Sequence, residues 1–134
     1  MKRTKGEEKI AKILRENGIS FVMHKMVADC IFPDTQYRAV FDFYLEPDYA
    51  NKYYIPCSYF IEYDGIQHFK IDSGWNGTKE RFQKQKNNDR IKNEYCKKNN
   101  IPLIRIPYTH YDNLCLEDLL LNKSKYVLEE NNAE

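Results

Sequence analysis

Residues 59–69 read Tyr-Phe-Ile-Glu-Tyr-Asp-Gly-Ile-Gln-His-Phe, an apolar run that carries two carboxylates and stops at a glycine. As a strand, this stretch sends Phe60, Glu62 and Asp64 to one face and Tyr59, Ile61 and Tyr63 to the other. A carboxylate is costly to bury unless it is paired or bound to a metal, so two on one side of a half-apolar strand point to a metal site. The solvated face of an antiparallel sheet also places acids at alternate positions. The residues at the end of the strand favour the metal. Gly65 permits a sharp exit, and Gln67 and His68 bring hydrogen-bonding and proton-transfer groups close to the acids.

The rest of the chain supplies elements to position these groups. Residues 5–17 form a helical pattern with Ile10, Ile13 and Leu14 as its apolar stripe, closed by Asn17-Gly18. Spacing places Glu7 on the buried face of that helix, although a first-turn acid is also favoured by the helix dipole. Residues 20–27 read as a strand and residues 30–36 as irregular, with Pro33-Asp34 as a turn. Residues 38–45 read as a second strand, with Phe41, Phe43 and Leu45 on one side and Val40, Asp42 and Tyr44 on the other. Asp42 is thus a lone carboxylate in an apolar strand. A tyrosine-rich loop, 46–56, separates it from the strand bearing Glu62 and Asp64, and neighbouring strands would bring the three acids together.

Beyond His68, residues 70–77 read as a loop with Gly74 and Gly77, and with Trp75 at its tip as a base-stacking or packing group. Thr78 can cap a long helix running to residue 98, on which Phe82, Asp89 and Cys96 recur every seven residues, turning Asp89 inward with Lys92 nearby. Residues 101–106 form a short apolar strand interrupted by Arg105, and residues 112–130 read as one helix with Leu114, Leu119, Leu120 and Val127 as its core. His24 and His110 find no partner in the sequence and are assigned to structure.

With 134 residues, 42% hydrophobic and 14% aromatic, the chain is read as a single domain, 1–134, with a substantial core. Cys30, Cys57, Cys96 and Cys115 are scattered, without the close pairs of a zinc knuckle or a disulfide framework, and suit a reducing cytosol. No signal peptide or membrane-length apolar run is legible, so a cytoplasmic protein without membrane partners is expected. The net charge is +1, yet residues 79–98 hold eight basic side chains (Lys79, Arg81, Lys84, Lys86, Arg90, Lys92, Lys97, Lys98) against three acids. Such a run is commonly a solvated helix face; beside a carboxylate cluster it could hold a phosphate backbone.

Helix, three strands, helix, strand, with acids on both helices and on the second and third strands, resembles the PD-(D/E)xK nuclease superfamily. Gly6-Glu7, Phe41-Asp42-Phe43, Glu62-Tyr63-Asp64-Gly65-Ile66-Gln67-His68, Asp89-Arg90-Ile91-Lys92-Asn93 and Leu103-Ile104-Arg105-Ile106-Pro107 look like the branch of very-short-patch repair endonucleases and phage-encoded homing endonucleases. The likeness covers residues 6–108. It implies an α/β fold with a restriction-endonuclease-like αβββαβ core, a central mixed sheet flanked by helices and, here, an additional C-terminal helix, 112–130. It also implies Mg²⁺, with Mn²⁺ as a substitute, held by Asp42 and Glu62 with Asp64 beside them. His68 would be the general base or acid, with Glu7 and Asp89 completing the site. The superfamily pattern wants a lysine where Asp64 stands; Gln67, Lys70 or Lys92 could supply that donor, and the histidine-using branch dispenses with it.

The expected function is metal-dependent DNA endonuclease, phage or mobile-element encoded and working in the host-cell cytoplasm. Lys79, Arg81, Lys84, Lys86, Arg90 and Trp75 are the candidate DNA contacts. Branched DNA or RNA are alternative substrates, and a catalytically inactive module that binds DNA or protein is the alternative class. A second copy of the chain is one route to sequence specificity.

Overall fold

The computed structural model describes residues 3–66 and 79–129. The elements follow in the order α1 (Lys5–Glu16), β1 (Val22–Ile31), β2 (Arg38–Leu45), β3 (Tyr59–Asp64), α2 (Lys79–Lys98) and β4 (Leu103–Pro107), then 3-10 turns at Tyr108–Asn113 and Leu116–Leu119. The strands lie in sequence order in one mixed sheet: β1, β2 and β3 are antiparallel, and β4 runs parallel to β3. Parallel neighbours need a crossover, and α2 provides it. The chain is therefore α/β, with a mixed sheet between helices. Gln67, His68, Lys70, Gly74, Trp75, Gly77 and Thr78 lie outside the described residues.

Each face of the sheet carries its own core. On one, Ile10, Ala11 and Leu14 of α1 pack with Phe43, Leu45, Tyr59, Ile61, Ile104 and Ile106; on the other, Cys96 of α2 packs with Ala39, Phe41, Phe60 and Leu103. The closing signal of the first helix works as its residues suggest. Gly18 takes φ +70°, where a side chain would be strained, and the amides of Gly18 and Ile19 return to the carbonyls of Arg15 and Leu14.

Phe41 and Phe43 do not share a face, contrary to the alternation expected from sequence. Phe41 stacks on Phe60, centroids 4.1 Å apart, in the α2-side core, whereas Phe43 belongs to the α1-side core. The switch falls at Asp42. Backbone pairing of β2 with β3 ends at Phe43–Ile61, and across from Asp42 on β1 sits His24 with φ 54°, a backbone state unusual for a non-glycine residue. β1 also extends past residue 27 to Ile31 through a register shift, so part of the expected irregular stretch is strand.

The expected helix over residues 112–130 is not continuous. Leu114, Leu119 and Leu120 are buried as expected, but only two short 3-10 turns form. Asp118 accepts from the Cys115 amide at 2.9 Å and meets His110 Nε2 at 2.8 Å, local bonds that compete with a regular helix. The chain then returns along the outer edge of β4: Val127 bridges Ile104, the Arg105 amide donates to Tyr126, and the Leu128 amide donates to Leu103. An edge with unpaired backbone groups is thereby covered.

Gly6 sets how closely α1 approaches the sheet. A Cβ there would collide with the Tyr63 ring. Gly6→Ala is therefore expected to destabilise the protein by about 1–3 kcal/mol through overpacking, despite the better helix propensity of alanine; thermal unfolding of the variant checks this.

Candidate active site

Where β2 and β3 part, two acids replace the missing backbone ladder. The Asp42 amide donates to Glu62 Oε2 at 2.6 Å, and the Tyr63 amide donates to Asp42 Oδ2 at 2.8 Å. Each carboxylate thus holds the backbone of the opposite strand. Glu62 is 3% exposed, a burial that a free carboxylate could not sustain. Its charge is met by Lys92 from α2: Nζ lies 2.8 Å from Glu62 Oε1, donates to the Val40 carbonyl at 2.7 Å and sits over the Phe41 ring. Burial works against the Lys92 charge, yet Glu62 and Asp42 hold its pKa above the ordinary lysine value.

Glu7 reaches the same place from the first turn of α1. Thr4 caps the helix by accepting from the Glu7 amide, and His24 Nε2 stands 2.9 Å from Glu7 Oε1. The histidine assigned to structure is thus the partner of a candidate site acid. Glu7, Asp42, Glu62 and Lys92 line a cleft of about 640 Å³ with Tyr63 and Tyr111 at its wall. Of the acids that line the cleft, Asp42 and Asp112 have no ion-pair partner among the described residues, and Asp42 is the one interlocked with Glu62. Burial, then the charges of Glu62 and Glu7, push its pKa well above the usual carboxylate range.

Asp64 and Asp89 go elsewhere. Arg105 Nη1 pairs with Asp64 Oδ1 at 2.7 Å and lies 3.8 Å from Asp89 Oδ1, while its Nε donates to Asn93 Oδ1 at 2.8 Å. These groups form a second polar cluster beside β4, and neither Asp64 nor Asp89 lines the cleft. Lys92 donates to Glu62, whereas Asp64 accepts from Arg105. Gln67 and His68 lie outside the described residues, as does Trp75. Lys79, Arg81, Lys84, Lys86 and Arg90 are all exposed along α2. Arg90 is engaged on its own helix by Glu94 and Asn87.

Sequence reasoning missed Arg105, His24, Tyr111 and Asp112. Arg105 had a signal: a cation in an apolar strand must find a buried anion. The aromatic wall had none.

Among the described residues, no three His, Cys, Asp or Glu side chains are grouped closely enough to hold a metal by themselves. Asp42 and Glu62 offer hard oxygen donors, which suit Mg²⁺ or Mn²⁺, ions commonly held by one or two carboxylates together with water and substrate phosphate. No helix among the described residues is long and apolar enough to cross a membrane.

Comparison with known proteins finds no matching family model and no matching solved structure. The chain is similar to uncharacterized protein 307L of Invertebrate iridescent virus 6, 38% identical over 65 residues, which cover 48% of this chain and 32% of that protein. The match thus spans about a third of the viral protein's length.

The buried pair and the strained acid make opposite predictions for stability. Lys92→Met leaves Glu62 buried and unpaired and is expected to cost about 3–5 kcal/mol, much of it recovered by adding Glu62→Gln; denaturant titration of the single and double variants measures both. For Asp42, an acid whose pKa is higher in the folded state keeps its proton longer there. Its contribution to stability is complete below the ordinary carboxylate range and is lost as pH rises through the raised value. Asp42→Asn is therefore expected to stabilise the metal-free protein at pH 7, on the order of 1 kcal/mol, with the difference vanishing in acid. Melting curves across pH read this directly.

Proposed function

We propose that this chain is a metal-dependent DNA endonuclease that hydrolyses phosphodiester bonds. The observation that carries the proposal is Asp42: an acid without a cationic partner among the described residues, interlocked with Glu62 and facing a cleft beside an exposed basic helix face. Both features suit the binding of a divalent cation and of a phosphate backbone.

In this proposal Asp42 and Glu62 would hold Mg²⁺ or Mn²⁺, which would supply polarisation of the scissile phosphate and a lowered pKa for an attacking water. Lys92 pairs with Glu62 and aims it. Its Nζ also places a fixed positive charge at the cleft, where negative charge builds up during phosphoryl transfer. Glu7, held by His24, adds a third carboxylate to the cleft. His68, close after Glu62 in sequence, is the candidate for moving the proton near neutral pH. Lys79, Arg81, Lys84 and Lys86 supply attraction to the DNA backbone. The likeness to a viral protein accords with an origin in a virus or mobile element.

The test is cleavage of supercoiled plasmid, linear duplex, single strand and four-way junction with Mg²⁺ or Mn²⁺. Wild type is expected to cut at least one of these only when metal is present, and Asp42→Asn to lower the rate on the order of 100-fold or more. Equal cutting by both proteins would contradict the assignment. No cutting by wild type, with DNA retained by both, would favour a binding module.

A further inference from the structure

β1 reverses its faces at His24. Strict alternation would put Met23 and Val27 on the same side of the sheet, yet Met23 packs against the α1-side core and Val27 belongs to the α2-side core. The reversal lies opposite the one at Asp42, because Met23 pairs with Phe43 and Lys25 with Phe41, leaving His24 and Asp42 between them. A backbone φ of 54° at His24 accompanies it. Glycine takes that conformation freely, whereas any side chain there is disfavoured. The backbone therefore does not call for an imidazole, and the side chain has to be accounted for by what it touches.

It touches Glu7. Nε2 lies 2.9 Å from Glu7 Oε1, and both side chains are largely buried, 15% and 10% exposed. An ionised carboxylate only accepts, so the ring donates from Nε2. Glu7 Oε2 accepts no hydrogen bond among the described residues, and Glu7 lines the cleft whereas His24 does not. One oxygen is thus pinned from behind and the other is left to the cleft. A glutamate without that pin would keep the rotamer freedom of a long side chain, and a reacting group out of place loses rate steeply.

We infer that His24 is a positioning residue: its imidazole fixes Glu7 so that Oε2 stays turned to the cleft, where it accepts a hydrogen bond from the attacking water. The inference rests on the nuclease proposal and adds to it a residue behind the cleft that acts through Glu7.

The test is plasmid cleavage with Mg²⁺ by the full chain carrying His24→Gln or His24→Gly, each variant checked by its melting curve. Gln has an amide N–H that can donate to Glu7 but suits φ 54° poorly; Gly suits the backbone and donates nothing. A role in the backbone alone makes Gly the better replacement, whereas positioning makes Gln the better one. His24→Gly is expected to lower kcat by about 10- to 100-fold with KM unchanged, His24→Gln to recover most of the rate, and His24→Gly to cause no further loss when Glu7→Ala is already present. Should the glycine variant fail to fold, His24→Asn takes its place, being tolerated at positive φ and too short to put a donor at the Nε2 position. A second measurement needs neither metal nor cleavage: in nitrogen-15 spectra the His24 ring, one of three histidines in the chain, is expected to be protonated at Nε2, with that resonance shifting in Glu7→Ala. Cutting by His24→Gly as fast as by His24→Gln, a loss that persists undiminished without Glu7, or a ring that does not respond to Glu7→Ala overturns the positioning role and leaves metal-dependent cleavage by wild type standing. No cutting of any substrate by wild type overturns the nuclease proposal and this role with it.

Discussion

The reciprocal grip of Asp42 and Glu62 on each other's strands is the constraint on which the candidate site depends. Regular pairing between β2 and β3 stops at Phe43–Ile61, and from there side-chain carboxylates take the place of carbonyls as acceptors for the Asp42 and Tyr63 amides. The strands can therefore separate without leaving buried amides unsatisfied. Separation opens the cleft, and the accompanying switch of face moves Phe41 onto Phe60, where its ring supports Lys92. One local exchange of hydrogen-bond acceptors thus couples the sheet, the helix α2 and the acids.

The charges are balanced unevenly, and the imbalance is concentrated in one place. Lys92 answers Glu62, His24 stands against Glu7, and Arg105 answers Asp64 with Asp89 nearby. Asp42 receives a backbone amide but forms no ion pair of its own among the described residues; Lys92, committed to Glu62, acts on it only from a distance. A protein selected for stability alone would replace such a group, because the folded state holds it against both burial and two neighbouring acids. Its presence is intelligible if the missing positive charge comes with a ligand. The cluster around Arg105 differs in kind: it is internally satisfied and serves to lock α2 against β4.

Much of this was legible in the sequence because burial and charge seldom coincide by accident. Alternation along residues 59–64 assigned Glu62 and Asp64 to one face, and the α1 stripe put Glu7 inward; both hold in the structure, where Glu62 and Glu7 are buried. The lone Asp42 in an apolar strand marked a special position. What could not be read is which cation each acid finds. Lys92 and Arg105 arrive from different elements, and their choice of Glu62 and Asp64 depends on how α2 crosses the sheet. The break in alternation at Asp42 was equally hidden, since a period-two pattern assumes unbroken pairing. At the C-terminus, leucines with helical spacing were buried as expected, but local bonds of Asp118 and the open edge of β4 favoured turns and an extended return.

The most direct test of the account is Mn²⁺ binding by isothermal titration calorimetry at pH 7, comparing wild type with Asp42→Asn without nucleic acid. If the unpaired Asp42 is an ion site shared with Glu62, wild type binds Mn²⁺ and the variant binds it at least about tenfold more weakly while remaining folded. Equal binding by the two proteins, or no binding by wild type, would contradict the assignment of Asp42 as the group that the metal completes.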